Sequence, residues 1–192
     1  MVIFKYGCMG SGKSLQLMAA AYNFQEHNVP FLIFKPSTDT RDGENVVFSR
    51  ALGKMPCTMI GPEFNLFDAV FNIVENKKIV IKWIMVDECQ FLTERQVEEL
   101  TLIADVFNIS VVCYGLRTDF QTKLFPGSKR LFELADKIEE IFSTCSVCGG
   151  KATINARISS DGSVITEGEQ VEVGGDERYV SLCRECFQDF QI

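Results

Sequence analysis

The chain has 192 residues, of which 46% are hydrophobic and 23% charged, enough for one domain, or one domain with a small appendage, around a real core. Its formal net charge of −7 argues against a general affinity for nucleic-acid backbones or anionic membranes. The first residues lack a signal pattern, and the most apolar run, residues 79–86, contains a lysine and is too short to span a bilayer. We therefore expect a cytoplasmic protein that binds neither nucleic acid nor membrane.

Hydrophobic periodicity predicts alternating strands and helices over the first three quarters of the chain. Strands are predicted at residues 3–6, 31–35, 79–86 and 109–115, and helices at residues 14–25, 64–76, 93–107 and 128–136. Strands and helices alternate at the lengths that βαβ units require. The sequence therefore predicts an α/β fold in which helices flank both faces of a mostly parallel sheet.

The pattern changes near Cys145. Two short strand candidates, ATINARI at 152–158 and SVIT at 163–166, flank the turn sequence SSDG, and a polar stretch follows them. We place a boundary near Phe142. This predicts one domain at residues 1–142 and a smaller one at residues 143–192.

The first predicted strand runs into the sequence GCMGSGKS, which we call the phosphate loop. It fits the pattern G-x-x-x-x-G-K-[ST], and it lies between a strand and a helix, as that pattern requires. Glycines let backbone N–H groups turn toward phosphate oxygens, and the helix N-terminus adds partial positive charge. Lys13 would reach the β- and γ-phosphates, and Ser14 would help to hold Mg²⁺. A glycine-rich turn without a ligand is the weaker alternative, so we predict a nucleotide site at Gly7, Cys8, Met9, Gly10, Ser11, Gly12, Lys13 and Ser14.

Two adjacent carboxylates, Asp87 and Glu88, follow the strand candidate at 79–86. Because adjacent strand residues point to opposite faces, their side chains are expected to do different work. Asp87 suits a contact with Mg²⁺, whereas Glu88 could take a proton from a hydroxyl nucleophile. In an ATPase, Glu88 would polarise water instead. These residues alone weigh a kinase and a hydrolase about equally.

Eight cysteines divide into two groups. Four are scattered singly, and four form two C-x-x-C pairs, at Cys145 and Cys148 and at Cys183 and Cys186. Without a secretion signal, metal binding explains such pairs better than disulfides do. Four thiolates suit tetrahedral zinc and leave no open coordination position, so we predict a structural Zn²⁺.

One of the scattered cysteines, Cys8, lies inside the phosphate loop. The nearby Lys13 and the following helix N-terminus both favour a thiolate, which predicts a thiol more reactive than that of Cys57. Alternatively, Cys8 is a small residue that fills a tight turn. Both interpretations remain open at this point.

In this order, these motifs and several further blocks resemble the thymidine kinases of the cellular, zinc-containing type. The resemblance spans essentially the whole chain, and its later blocks are most similar to bacterial and bacteriophage members. It implies a P-loop NTPase-like fold with a small C-terminal zinc-binding lasso domain. The blocks are the phosphate loop, DTR at 39–41, DECQF at 87–91, YGLRTDFQTKLFPGS at 114–128, CSVCGGKAT at 145–153 and EGEQVEVGGDERYVSLCREC at 167–186.

The resemblance implies transfer of the ATP γ-phosphoryl group to the 5′-hydroxyl of thymidine or deoxyuridine, which gives the monophosphate in nucleotide salvage. Glu88 is then the catalytic base and Phe120 packs on the thymine ring. The other implied ATP and Mg²⁺ residues are Asp39, Arg41, Asp87 and Gln90. The backbone of a lasso loop reads the edge of the base, and it matches Gln170, Val171, Glu172, Val173, Gly174 and Tyr179.

The resemblance also implies that the four paired cysteines bind zinc and anchor the lasso, that the protein is a homotetramer, and that dTTP inhibits it. The chain departs from many relatives at three cysteines. Cys8 stands where proline or alanine is common, Cys89 where a small residue is usual, and Cys186 where some bacterial members have histidine. The rival hypothesis is an ATP-hydrolysing switch whose zinc module binds a partner.

Overall fold

The computed structural model describes residues 1–38, 43, 45–160, 162–170 and 178–189. Within these residues the chain forms a six-stranded sheet, a three-stranded sheet and a two-stranded hairpin. Helices pack on the large sheet, so the predicted α/β class is confirmed. None of the helices in the described part of the chain combines the length and apolarity needed to cross a membrane.

The larger sheet is parallel throughout. The strands in chain order are β1 (Val2–Tyr6), β2 (Phe31–Pro36), β3 (Val46–Ser49), β4 (Gly53–Pro56), β5 (Thr58–Ile60), β6 (Trp83–Val86), β7 (Ser110–Gly115), β8 (Lys137–Glu140), β9 (Ile154–Ile158), β10 (Val164–Ile165) and β11 (Arg178–Leu182). The six-stranded sheet has the order β5-β2-β6-β7-β1-β8, and each pair of neighbours is parallel. Strands β3 and β4 form the antiparallel hairpin.

Five α-helices lie within the described residues. They are α1 (Lys13–Glu26), α2 (Leu66–Phe71), α3 (Glu94–Phe107), α4 (Pro126–Leu134) and α5 (Arg184–Asp189). Helix α3 begins with a capping box, in which Thr93 and Gln96 each accept a hydrogen bond from the other's backbone N–H. This cap explains why the predicted start of that helix agrees with the structure within one residue.

The core lies on both faces of the large sheet. Phe4 of β1 packs into a cluster with Leu100 of α3, whereas the neighbouring Ile3 points to the opposite cluster, with Leu17 of α1. The strands are therefore buried on both sides, as expected for a parallel sheet covered by helices.

Two predicted elements are shorter than expected. The strand predicted from residue 79 begins only at Trp83, and Ile79 and Val80 are 47% and 60% exposed. The reason is the partner strand, because β2 begins at Phe31 and the preceding Pro30 has no N–H for a ladder bond. The helix predicted at 64–76 is α-helical only over α2 and continues as a π-helical turn, Asn72–Asn76.

The C-terminal part of the chain forms the three-stranded sheet, in the antiparallel order β10-β9-β11. The two strand candidates that flank SSDG thus pair with each other, and β11 adds a third strand. All five residues of β9 are buried. We call this sheet, with the four paired cysteines and α5, the cysteine module. The domain boundary near Phe142 stays a prediction.

A close approach at Gly127 in α4 gives a stability prediction. A Cβ there would lie 2.6 Å from the carbonyl oxygen of Cys89 and 2.8 Å from that of Leu92. We expect Gly127→Ala to lower the free energy of unfolding by about 1–3 kcal/mol, because backbone must move, although alanine is the better helix former. Urea denaturation measures it. The control is Gly61→Ala, whose nearest atom is Ser37 Oγ at 3.9 Å. Equal stability of Gly127→Ala and the parent would contradict the packing argument.

Candidate active site

The phosphate loop lies between the end of β1 and the start of α1, at the carboxyl edge of the large sheet. Gly10 and Gly12 have φ values of +75° and +82°. This left-handed conformation is less favourable for residues that carry a Cβ, so glycine is the preferred residue there. The backbone N–H of Ser11 donates to the carbonyl of Cys8 across the turn. The loop thus has the conformation that its glycines predict.

Lys13 is buried at the first position of α1, and its ammonium group lies within the loop. Its Nζ donates to the carbonyl oxygens of Cys8, at 2.8 Å, and Gly7, at 3.3 Å. Burial lowers the pKa of Lys13, while the carboxylates of Glu88 and Asp87 act in the opposite direction. The structure thus holds a cation where an anion would enter the loop.

Ser14 and Asp87 form a pair beside this cation. Ser14 Oγ lies 3.1 and 3.2 Å from the two carboxylate oxygens of Asp87, to which it donates. Asp87 is 2% exposed, and burial, with a smaller effect of Glu88, raises its pKa to about 7. Lys35, Ser14 and Lys13 act in the opposite direction. A hydroxyl and a carboxylate are oxygen donors of the kind that Mg²⁺ binds, and a bound cation would favour the ionised carboxylate, so the pair fits Mg²⁺.

Glu88 does not lie on a strand, contrary to the assumption made from the sequence. Strand β6 ends at Val86, and Glu88 has φ +51°, an uncommon conformation for a residue other than glycine. This turn, rather than strand alternation, separates its carboxylate from that of Asp87. The side chain of Gln90 holds it, because Nε2 donates to Glu88 Oε2 at 2.5 Å and Oε1 accepts from the backbone N–H of Leu116 at 3.0 Å. The structure therefore fixes the orientation of a partly exposed carboxylate.

Lys35 is a candidate residue that the sequence analysis missed. It is fully buried near the end of β2, and its charge favours the ionised form of Asp87. The register pairs Phe34 with Val86, so the next residue of each strand lies at the same edge of the sheet. A lysine at the carboxyl end of a buried strand, where α/β sheets bind ligands, was the signal that could have identified it.

The aromatic predicted to contact the base, Phe120, is 1% exposed and lies beside the start of the predicted lasso. The guanidinium carbon of Arg157 lies 4.9 Å from the centre of its ring. Arg157 also donates to the carbonyl of Glu169, and Gln170 Nε2 donates to Asp119 Oδ2 at 2.9 Å. Arg157 and Asp119, which the sequence analysis did not single out, thus join Phe120 to the lasso.

Other predicted residues are placed as follows. Tyr179 lies on β11 opposite Arg157 and is partly buried. Six predicted site residues lie outside the described residues, namely Asp39, Arg41, Val171, Glu172, Val173 and Gly174. Their roles stay predictions.

The four paired cysteines form one cluster. The sulfur atoms of Cys145, Cys148, Cys183 and Cys186 all lie within 4.8 Å of one another, and none of the four is in a disulfide. Four thiol ligands from two chelating pairs fit a tetrahedral zinc ion. The cluster is therefore consistent with the predicted zinc site.

Comparison with known proteins agrees with this geometry. The family model described as thymidine kinase matches residues 1–187. The chain belongs to the thymidine kinase family. The thymidine kinase of Zymomonas mobilis is 43% identical over 184 residues, which cover 96% of this chain and 94% of that protein.

Relatives of similar closeness come from bacteriophage and from other bacteria. The thymidine kinase of Enterobacteria phage T4 is 44% identical over 183 residues, 95% of this chain and 93% of that protein. That of Escherichia coli O157:H7 is 40% identical over 186 residues, 97% of this chain and 89% of that protein. The resemblance to bacterial and bacteriophage members of the family is thus confirmed.

Of the two interpretations left open for Cys8, the structure does not support the one that requires a lowered pKa. Cys8 is 6% exposed, and burial raises the pKa of its thiol despite the opposing effects of a Ser143 hydrogen bond and the Lys13 charge. Its side chain belongs to a buried cluster that includes Cys145 and Ala152 of the cysteine module. The structure favours the interpretation of Cys8 as a small residue that fills a tight space in this family member.

The cysteine cluster predicts a metal stoichiometry. We expect purified protein to contain about one zinc ion per chain, because all four thiols converge on one point. Cys183→Ser should lose most of this zinc and lower the unfolding temperature. The control is Cys57→Ser, because Cys57 lies outside the cluster. Elemental analysis and thermal unfolding measure both effects. A zinc-free, folded parent protein would contradict the assignment.

Proposed function

We propose that this protein transfers the γ-phosphoryl group of ATP to the 5′-hydroxyl of thymidine, and also of deoxyuridine, giving the 5′-monophosphate for nucleotide salvage. The observation that carries the proposal is the convergence of Lys13, Ser14, Asp87 and Glu88 at one edge of the sheet, in a chain of this family. A cation, an Mg²⁺ site and a separate base are the parts that phosphoryl transfer needs.

On the ATP side, the loop and the N-terminus of α1 would hold the phosphates. Lys13 would exchange its bonds to loop carbonyls for bonds to β- and γ-phosphate oxygens. Ser14 and Asp87 would hold Mg²⁺, with Asp87 ionised. When bound, Mg²⁺ would neutralise charge that develops on the phosphate oxygens. Lys35 would offset part of the negative charge of Asp87.

On the acceptor side, Glu88 would act as the base. As the 5′-oxygen forms its bond to the γ-phosphorus, the bond from phosphorus to the bridging oxygen of ADP breaks, and the hydroxyl proton passes to Glu88. Gln90 supports this role, because its bond to Glu88 Oε2 fixes the orientation of the carboxylate at the edge of the sheet. The proton then leaves to solvent when the products are released.

The nucleoside would lie between Phe120 and the lasso residues, Gln170 to Gly174 with Tyr179. Two contacts support this arrangement, namely that of Arg157 with the Phe120 ring and that of Gln170 with Asp119. The zinc ion would be structural, and its ligands would pin the ends of the lasso. A homotetramer and inhibition by dTTP are part of the same proposal, and they rest on the resemblance to the family.

The proposal is tested by nucleoside-dependent release of ADP. We expect ADP to form from ATP and Mg²⁺ only when thymidine is present, with dTMP formed in equal amount. Chromatography of both products measures this. Without thymidine, ADP release should be lower by about 10²-fold or more, because water is not positioned at the acceptor site. ADP release at the same rate with and without thymidine would favour the ATP-hydrolysing switch.

The role of Glu88 gives a second test. Glu88→Gln should lower kcat by about 10²- to 10⁴-fold, because the amide cannot take the proton. The dissociation constants of ATP and thymidine should stay close to those of the parent, because the amide oxygen still accepts a bond from Gln90. The control is Glu94→Gln, an exposed residue in the first turn of α3, which should leave kcat unchanged. Near-normal kcat in Glu88→Gln would place the base elsewhere.

A further inference from the structure

The cysteine module holds one residue of the phosphate loop by both of its backbone polar groups. Asn155 of β9 accepts a hydrogen bond from the backbone N–H of Met9, at 2.7 Å from Oδ1. Ser181 of β11 donates to the carbonyl of Met9, at 2.8 Å from Oγ. Two neighbouring strands of the module thus clamp a single peptide segment of the loop.

A third contact holds the residue before it. Ser143 Oγ accepts from the backbone N–H of Cys8 at 3.0 Å. Ser143 precedes Cys145 by two residues, and Ser181 precedes Cys183 by two, so both hydroxyls lie on segments that the cysteine cluster positions. The backbone N–H of Ser146 also donates to the carbonyl of Ser181 at 2.9 Å, which joins the two segments.

The three side chains that bond to the loop are buried. Ser143, Asn155 and Ser181 are 5%, 4% and 8% exposed. The amide of Asn155 is held at its other end as well, because Nδ2 donates to the carbonyl of Thr118. A donor or acceptor that loses its partner at such a buried side chain is costly to leave unpaired.

These contacts divide the phosphate loop into two parts. The N–H groups of Cys8 and Met9 bind protein side chains rather than phosphate. The N–H groups of the first turn of α1 have no partner within the helix and can face an anion. Gly10 lies between the parts with φ +75°, a conformation that glycine adopts readily, so an anchored first part limits the paths that the chain can take into the second.

We propose that Ser143, Asn155 and Ser181 are positioning residues for ATP, which hold the first part of the phosphate loop in its phosphate-binding conformation. The proposal rests on the proposed function, because it assumes that ATP is the ligand of the loop. It gives the cysteine module a second task, on the ATP side of the site. If the clamp is weakened, a smaller fraction of molecules has a competent loop, and the apparent affinity for ATP falls by that fraction.

The test compares hydrogen-bond deletions within the module. In Ser181→Ala and Asn155→Leu we expect the dissociation constant of Mg²⁺-ATP to rise about 3- to 10-fold, the range for one lost hydrogen bond. The dissociation constant of thymidine, measured separately by calorimetry, should change less. Ser181→Thr keeps the hydroxyl and should restore most of the affinity for ATP.

Ser159, which follows the end of β9 in the three-stranded sheet, provides a matched control. Ser159 bonds with Ser163 across the β9–β10 turn, so Ser159→Ala should leave the affinity for ATP unchanged. Zinc content and unfolding temperature of every variant should be measured in parallel. An affinity for ATP equal to that of the parent in both deletion variants would overturn the inference. An equal loss of affinity for ATP and thymidine, accompanied by a lower unfolding temperature, would also overturn it, because it would indicate a merely structural role.

The two proposals fail in different ways. A parent protein that does not bind ATP would contradict the proposed function itself. A parent protein that binds ATP and phosphorylates thymidine, alongside Ser181→Ala and Asn155→Leu variants with unchanged affinity for ATP, would contradict only the positioning role.

Discussion

The parallel pairing of β2, β6, β7 and β1 is the constraint on which the rest of the site depends. Parallel strands end at the same edge of a sheet, so the residues that follow β1, β2 and β6 meet there although they are far apart in sequence. The register of Phe34 with Val86 brings Lys35 beside Asp87. The turn after β1 then aims α1 at the same edge, and Ser14 reaches Asp87. A shift of one residue in this register would send Lys35 and Asp87 to opposite faces.

Opposite charges are buried at this edge of the sheet, and removing them from water costs free energy. Desolvation raises the pKa of Asp87 and lowers that of Lys13, so each group would lose its charge more easily if it stood alone. Their mutual attraction, and the nearby Lys35, oppose this loss. Such an arrangement adds little net stability, because desolvation offsets the attraction. The groups that carry these charges are instead already in position before a phosphate or a metal ion arrives, and such preorganisation is how an active site lowers a barrier.

Sequence predicted the parts of the structure that local pattern determines. Apolar periodicity located the central strands and α3, and the glycines and lysine of the phosphate loop located the nucleotide site. The edge strands β5 and β8 were not predicted. Strand β8, Lys137–Glu140, has no apolar alternation and forms only because it pairs with β1. The left-handed turn at Glu88, and contacts such as that of Arg157 with Phe120, also depend on tertiary packing that no short pattern encodes.

A kinase must also hold its two substrates in a fixed position relative to each other. Transfer needs the γ-phosphorus and the acceptor oxygen in near-contact, and an error of about 1 Å is costly. The phosphate loop follows β1 of the large sheet, whereas the lasso residues proposed to read the base lie in sequence between β10 and β11 of the cysteine module, and Tyr179 lies on β11. On the clamp proposal, Asn155 and Ser181 fix Met9 to the same two strands, β9 and β11, that carry Arg157 and Tyr179. The position of ATP relative to the nucleoside would then depend on the contacts of Met9 with β9 and β11, rather than on the packing of the whole large sheet.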